Sequence, residues 1–167
     1  MTAIKLLGRI LKLRKILRIK RFEFTNYDKE IHVWVKPYRN GCLCPDCKRR
    51  CSTVRIMPQE REWRDLRVCG INVILHYTPR EIVCPTHGRQ QEEIPWAAHH
   101  AQVTYRFEVL MLRFCQWMTQ QNAADMLDIS ASTLSGILHR TINRIRHDHR
   151  PRAVKTLGID EIAYRRG

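Results

Sequence analysis

The sequence predicts an α+β protein with a β-rich first half, a helical second half and a short strand at the C-terminal end. Two matched turns, Cys44-Pro45-Asp46-Cys47 and Cys84-Pro85-Thr86-His87, lie on either side of alternating apolar and polar residues. After about residue 97, apolar residues recur every three or four positions instead. We therefore expect three parts: residues 1–97, residues 98–150 and residues 151–167.

Composition and charge point to an anionic partner. The 167 residues include 30 Lys and Arg against 16 Asp and Glu, a net charge of +14. Such an excess favours binding to nucleic acid, and we expect double-stranded DNA. Seven cysteines, an odd number, fit a reducing cytoplasm better than a disulfide framework. No apolar stretch is long enough to span a membrane, and basic residues interrupt every apolar run near the N-terminus, so we expect neither membrane insertion nor secretion.

The first 21 residues carry eight basic side chains and no acidic one. Leu6, Ile10, Leu13 and Leu17 recur at helical spacing, which predicts an amphipathic helix extending to about Lys15. We expect its apolar stripe to pack on the domain. A helix lying on a membrane surface is the alternative.

Strand patterns follow. Alternation over residues 16–24 and 31–35, separated by a turn at 26–29, predicts a hairpin. Two further strands are predicted over residues 61–68 and 73–83, with a reversal at 70–72. We expect residues 17–90 to form one small β-rich zinc ribbon whose two ends the metal ion ties together, because so small a core needs that support.

The two matched turns predict a structural zinc site. Cys44, Cys47, Cys84 and His87 offer three thiolates and one imidazole, a ligand set that tetrahedral zinc prefers. A gap of two residues lets both side chains of one tight turn face the same ion, and the shared proline fixes each bend. Metal binding and folding should then be coupled. The alternatives are that the flanking Cys42 or Cys51 replaces one of these ligands, or that the zinc is catalytic. No third turn supplies a general base for catalysis.

The second half predicts helices. Phe107, Leu110, Met111, Phe114 and Met118 form the stripe of a helix over about 104–118. Two shorter apolar sets follow, separated by a turn at 128–130 that ends in Ser130, a natural N-cap. The members of these sets are Ala123, Ala124 and Leu127, then Leu134, Ile137 and Leu138. This arrangement is typical of a helix-turn-helix; a helical hairpin that only packs is the alternative.

The outward face of the second helix in this motif predicts a DNA contact. Ser132, Thr133, Ser135 and His139 are short or polar side chains near its start, suited to base edges in a major groove. Arg140 and Arg144 lie further along and suit phosphates.

The C-terminal residues 156–167 place apolar side chains ahead of Asp160 and Glu161, as at the start of a buried strand. We interpret this segment as the first strand of a further domain. A tail with incidental acidic residues is the alternative, and composition alone favours it.

The order of these parts resembles the bacterial insertion-sequence transposases of the ISL-three family. The paired-turn zinc domain, the Trp63-Arg64-Asp65-Leu66 strand, the helix-turn-helix and the segment Ile159-Asp160-Glu161-Ile162-Ala163 carry the resemblance from about Phe22 to the end. One departure is His87, which stands where many relatives have a cysteine in a longer turn.

The resemblance implies a ribonuclease-H-like core with an Asp, Asp, Glu triad that holds two metal ions, magnesium in an intact family member. Asp160 matches the first acid of that triad by its position. Only seven residues follow it, so we expect a catalytically incomplete, truncated DNA-recognition part that binds the terminal inverted repeats of a mobile element. A homo-oligomer or an intact transposase is the protein partner that the resemblance implies there. The alternatives are one half of a composite transposase and an unrelated transcription regulator.

Overall fold

The computed structural model describes residues 2–12, 17–37 and 41–148, residues 147 and 148 by their backbone alone. Within these ranges the chain forms eight strands and four helices. The strands are β1 Leu17–Thr25, β2 Glu30–Pro37, β3 Cys42–Leu43, β4 Arg50–Ile56, β5 Arg61–Val68, β6 Ile71–Tyr77, β7 Arg80–Cys84 and β8 Gly88–Gln91. The helices are α1 Ala3–Ile10, α2 Tyr105–Trp117, α3 Gln120–Leu127 and α4 Ala131–Asp148. The protein is therefore α+β with a β-rich N-terminal part, as predicted.

The first sheet has the strand order β1-β2-β6-β5. Strands β1 and β2 form the predicted antiparallel hairpin, β2 and β6 run parallel, and β5 and β6 are antiparallel. The alternating sequence of β2 buries Ile31, Val33 and Val35 on one face. On the opposite face, Trp34 lies between the Arg21 guanidinium and the ring of His76.

The second sheet is smaller and has the order β3-β4-β7-β8. Two expectations were wrong here. The strand predicted over residues 73–83 divides at Thr78 and Pro79, so that β6 belongs to the first sheet and β7 to the second. Proline has no N–H to donate to a ladder, which favours a break at this point. Residues 17–90 are consequently two four-stranded sheets, and the single ribbon predicted for them is not formed.

The first core lies under the first sheet. Its central side chains are Trp63, Val73 and Leu75, and the rings of Trp63 and Trp96 meet edge to face. The segment between β8 and α2 contributes to it, so this core includes side chains on both sides of residue 97. Its contributors are Ile94, Trp96, Ala97 and Ala101.

The N-terminal helix α1 packs a different face on the core from the one predicted. Leu6 and Ile10, expected to face inward, are 46% and 49% exposed, whereas Leu7 packs on the first core and Leu11 is buried in it. The helix α1 also ends at Ile10, earlier than expected. The physical reason is that Leu11 enters the core beside Leu17, which turns the neighbouring positions outward. Leu13 lies outside the described residues.

The helical part agrees with its prediction. Helix α2 begins after Thr104, whose hydroxyl accepts a hydrogen bond from the amide of Phe107. The predicted apolar positions of α2, α3 and α4 form a second core. Its buried members are Val103, Phe107, Met111, Ala123, Ala124, Leu127, Leu134, Ile137 and Leu138. No helix in the described part of the chain is both long and apolar enough to span a bilayer.

Candidate metal centre and nucleic-acid interface

The four predicted zinc ligands come together at one end of the second sheet. Cys44 and Cys47 lie in the turn between β3 and β4. Cys84 is the last residue of β7, and His87 lies in the turn between β7 and β8. The first turn is closed by the amide of Cys44, which donates to the carbonyl of Arg49 (2.9 Å). In the second turn, Gly88 adopts a φ of 71°, the left-handed conformation expected of a glycine at this position.

The distances between these side chains fit a tetrahedral metal site. His87 Nδ1 lies 3.5 Å from Cys44 Sγ and 3.6 Å from Cys84 Sγ, and Cys47 Sγ lies 3.6 Å from Cys84 Sγ. Zn–S bonds of about 2.3 Å and Zn–N bonds of about 2.0 Å at tetrahedral angles require roughly 3.8 Å between sulfurs and roughly 3.5 Å from sulfur to nitrogen. All four ligand atoms lie within 4.8 Å of one another. The cluster could therefore bind a metal ion such as zinc.

The pKa values of two of the three thiols, those of Cys84 and Cys44, are lowered. Burial acts to raise the pKa of Cys84, but hydrogen bonds from the amides of Thr86 and His87 and from the His87 ring outweigh it, so that the pKa falls to about 6. The pKa of Cys44 is also lowered, because amide hydrogen bonds again outweigh burial. Two of the three thiols are thus biased towards the thiolate form that metal binding requires.

The pKa values of the third thiol, Cys47, and of the His87 imidazole are raised. At Cys47, a backbone hydrogen bond at Arg49 acts to lower the pKa, but burial and the neighbouring sulfurs raise it overall. The pKa of His87 is raised by its hydrogen bonds to the sulfurs of Cys84 and Cys44. A bound cation would relieve the repulsion between the sulfurs and would displace the proton from the imidazole.

Gln90 adds a further contact that the sequence did not indicate. Its side-chain amide on β8 donates to Cys44 Sγ at 2.8 Å. Hydrogen bonds of this kind orient a ligand and stabilise its charged form. A polar residue three positions after a ligand histidine is too common to have been recognised without the fold.

The flanking cysteines lie outside this group of four potential ligands. Cys42 is buried and its sulfur lies 3.0 Å from the hydroxyl of Thr53, and the pKa of this thiol is raised, chiefly by burial. Cys51 faces Cys42 across the β3–β4 ladder, and its thiol donates to the carbonyl of Arg49. Among the described residues, the only group of three or more potential ligands within metal-binding reach is Cys44, Cys47, Cys84 and His87. Four protein ligands would leave no open position for a substrate, which is typical of a structural site.

The second candidate site is the α3–turn–α4 unit. Helix α3 ends at Leu127, and the residue that caps it, Asp128, adopts the left-handed conformation (φ 56°, ψ 51°). Aspartate tolerates this conformation better than most residues. Helix α4 then begins after Ser130, whose hydroxyl accepts from the amide of Thr133 at 3.1 Å and thereby caps the helix as predicted.

The predicted base-contacting side chains are exposed on α4. Ser132, Thr133, Ser135 and His139 all face solvent. The hydroxyls of Ser132 and Thr133 lie 2.9 Å and 2.7 Å from that of Ser130, so they also support the cap. The two phosphate candidates differ from one another, because Arg140 is exposed but Arg144 is half-buried.

Arg144 contacts α2 in this structure. Its guanidinium forms an ion pair with Glu108, which is buried, and lies 4.7 Å from the centre of the Tyr105 ring. These contacts attach the C-terminal half of α4 to α2. The assignment of Arg144 to a phosphate stays a prediction. The remaining predicted site residue, Asp160, lies outside the described residues, as does the whole segment for which a C-terminal strand was predicted.

Known proteins provide an independent comparison. Residues 92–142 match the family model for the helix-turn-helix domain of transposase family ISL3. The chain is 29% identical over 176 residues to the transposase for insertion sequence element IS1557 of Mycobacterium tuberculosis, in strains CDC 1551 / Oshkosh and ATCC 25618 / H37Rv. It is 23% identical over 140 residues to the transposase for insertion sequence element IS1001 of Bordetella parapertussis. No solved structure matches the chain significantly.

These alignments cover most of this chain but only a minor part of each relative. The IS1557 alignment covers 99% of this chain but 39% of the relative, and the IS1001 alignment covers 83% of this chain and 34% of the relative. The chain thus spans about two fifths of the length of these transposases. Because the helix-turn-helix match includes all of α3 and most of α4, and the similarity extends along the chain, the resemblance to the ISL3 family of insertion-sequence transposases is confirmed.

Proposed function

We propose that this chain is the DNA-recognition part of an ISL3-type transposase and binds the terminal inverted repeats of an insertion sequence. The observation that carries the proposal is the α3–turn–α4 unit. Most of it lies in the segment matched by the helix-turn-helix domain, and it exposes short polar side chains near the start of α4. In such motifs the second helix enters the major groove and its N-terminal residues reach the base edges.

The side chains of α4 suggest how the recognition is divided. Ser132, Ser135 and His139 are small or polar enough to approach bases and can donate or accept hydrogen bonds. Arg140 follows on the exposed surface and suits the phosphate backbone. Arg144 serves recognition indirectly in this proposal, because its ion pair with Glu108 attaches α4 to α2.

The metal in the proposal is zinc, held by Cys44, Cys47, Cys84 and His87. Support comes from the three sulfurs, the single imidazole and their tetrahedral spacing. Bound there, zinc would join the β3–β4 turn to the β7–β8 turn and stabilise the second sheet. Its role is structural, since the four ligands fill its coordination sphere.

Catalysis is assigned to a longer protein. Transposition requires carboxylates that hold two metal ions, and the resemblance supplies only Asp160 as the first of them. The chain spans 39% of the IS1557 transposase, so we assign DNA cleavage and strand transfer to a chain of the relatives' full length. The 167 residues by themselves would bind DNA and leave it uncut.

The test is duplex binding by the purified, zinc-loaded chain at matched salt. One duplex carries the inverted repeat that flanks the coding sequence, and the other is a random duplex of equal length. We expect the repeat to bind at least about 1,000-fold more tightly, the lower range for specific DNA-binding proteins. Equal affinity for both duplexes would refute the proposal, and a promoter as the best-bound sequence would favour a transcription regulator.

Substitutions in α4 separate base reading from phosphate binding. Ser135→Gln places a bulky side chain on the exposed face, so we expect it to reduce the preference for the repeat with little change in random-duplex affinity. Arg140→Ala is the matched control on the same helix, and it should weaken binding to both duplexes by a similar factor and reduce the salt slope by about one. Identical effects of the two substitutions on both duplexes would contradict the assignment of α4.

A further inference from the structure

The C-terminal end of α3 is held by side chains of the first sheet. Arg64 of β5 donates from one terminal nitrogen to the carbonyl of Asp128 (2.9 Å) and from the other to the carbonyl of Leu127 (2.7 Å). Arg67 of the same strand donates to the carbonyl of Met126 (3.2 Å) and lies 3.3 Å from the Asp128 carboxylate. Two guanidinium groups thus bind three consecutive carbonyls at the end of the helix, and we call this set of contacts the arginine clamp.

The arginine clamp completes the hydrogen bonding of the helix end. The last four carbonyls of an α-helix have no partner within the helix. Here the amides of Asp128 and Ile129 turn back and donate to the carbonyls of Asp125 (3.1 Å) and Ala124 (3.1 Å). Arg64 and Arg67 bind the carbonyls that follow. Their positive charges also lie at the negative end of the helix dipole, where cations stabilise a helix.

The two arginines are themselves fixed to the sheet. Asn72 at the start of β6 accepts from Arg64 at 2.9 Å and from Arg67 at 2.6 Å. The backbone N–H of Asn72 donates to the backbone carbonyl of Lys29 in the β1–β2 turn (2.9 Å). The Arg64 guanidinium also lies 5.5 Å from the centre of the Phe107 ring, which is buried in the helical core. Arg64 therefore contacts the first sheet, the helical core and the end of α3 together.

Only residues 128–130 separate α3 from α4. Fixing the carbonyls at the end of α3 therefore also fixes the start of α4, where Ser132 and Ser135 lie. We propose that Arg64 and Arg67 are positioning residues for sequence recognition, which set the direction of α4 relative to the first sheet so that both are presented to DNA as one rigid body. This inference rests on the proposed function, in which α4 reads the bases.

The experiment compares the full zinc-loaded chain with its Arg64→Lys variant. Lysine keeps the charge, but a single ammonium group cannot reproduce the planar fork that joins Leu127, Asp128 and Asn72. We expect the ratio of random-duplex to repeat dissociation constants to fall about tenfold, the equivalent of about one base contact. Random-duplex affinity should stay within about twofold, because the charge of the protein is unchanged.

Arg55→Lys is the matched control. Arg55 is an exposed arginine of the second sheet, and its ion pair is with Glu81 on the neighbouring strand β7. It should leave the ratio unchanged. If Arg64→Lys fails to fold, Arg67→Lys replaces it, since that side chain is more exposed and forms its hydrogen bonds and ion pair with Met126, Asn72 and Asp128. A folded variant with a ratio equal to that of Arg55→Lys would overturn the inference.

A readout without DNA distinguishes failure of this inference from failure of the proposed function. Amide hydrogen exchange in residues 128–134 should be faster in Arg64→Lys than in the wild-type chain and in Arg55→Lys. If the wild type does not distinguish the repeat from random DNA but the exchange changes as expected, the proposed function has failed and the arginine clamp remains. Unchanged exchange together with an unchanged ratio would refute the clamp while leaving repeat binding intact.

Discussion

Cys47 shows what one ligand contributes to the second sheet. The buried core at that sheet consists of three cysteines and one isoleucine, namely Cys42, Cys44, Cys84 and Ile82, and most of β4 is exposed. Such a core cannot offset the entropy of ordering its strands without support. We therefore expect Cys47→Ser to lose the metal and unfold residues 41–56 and 80–91, measured by metal content and by hydrogen exchange.

Tryptophan fluorescence shows whether the unfolding in Cys47→Ser is confined to the second sheet. The sequence has four tryptophans, Trp34, Trp63, Trp96 and Trp117, and all lie outside the second sheet. Their fluorescence should change little in Cys47→Ser, because the first core is separate. The control is Cys69→Ser, which alters an exposed cysteine outside the cluster. Unchanged metal content in Cys47→Ser would disprove the ligand assignment, and a large change in tryptophan fluorescence would show that the two sheets unfold together.

Gln90 permits a test beyond the four ligands. Gln90→Leu removes the amide that donates to Cys44 Sγ, so the thiolate loses a stabilising hydrogen bond. We expect zinc affinity to fall about tenfold, the lower range for such supporting residues, measured by competition with a chelator of known affinity. Gln91→Leu is the neighbouring control, because the Gln91 side chain accepts from Arg61 instead. Equal affinities of the two variants would show that the contact to Cys44 is unimportant.

At the scale of single elements, α4 depends on its cap. Ser130→Ala removes the acceptor of the Thr133 amide and also the partner of two neighbouring hydroxyls. We expect the free energy of unfolding to fall by about 1 kcal/mol. That corresponds to a decrease of roughly 3 °C in Tm for a chain of this size, measured by thermal unfolding. Ser135→Ala, on the exposed side of the same helix, should leave Tm unchanged or slightly higher. A Tm as high in Ser130→Ala as in this control would argue against the cap.

The boundary between β6 and β7 could not be predicted from the alternation of residues in the sequence. Residues 73–83 are mostly apolar or β-branched, so alternation alone reads them as one strand. Pro79 ends the pairing, and its carbonyl accepts instead from the amide of Met57 (2.8 Å). The chain therefore passes from one sheet to the other at this point, and Arg80 forms an ion pair with buried Glu92 beside the passage.

At the scale of the whole molecule, Asp65 joins the β-rich part to the helical part. It is fully buried, accepts from the hydroxyl of Thr104 (2.7 Å) and pairs with Arg106, which also donates to the carbonyl of Leu11 (2.6 Å). We expect Asp65→Ala to reduce the free energy of unfolding by about 3 kcal/mol, because it removes the charge partner of Arg106 and the acceptor of the Thr104 hydroxyl from a buried position. Urea unfolding of the zinc-loaded chain measures this loss.

The control for Asp65 is Glu81→Ala. Glu81 pairs with Arg55 at the surface, where an ion pair contributes at most about 1 kcal/mol. If the junction is as important as its burial indicates, Asp65→Ala should also separate the unfolding of the helices from that of the first sheet. A loss no greater than that of Glu81→Ala would mean that the two parts are stabilised independently.

Local patterns in the sequence determined much of this protein. The two cysteine-containing turns, the β1–β2 hairpin, the approximate boundaries of α2 and the capped turn before α4 all depend on neighbours within a few residues, and each was predicted. Tertiary structure decided the rest. The face that α1 buries, the division of the strands between two sheets, the pairing of Arg144 with Glu108 and the attachment of α3 by Arg64 depend on contacts between residues distant in sequence. A periodic pattern shows that a face is apolar, but it does not show what that face will meet.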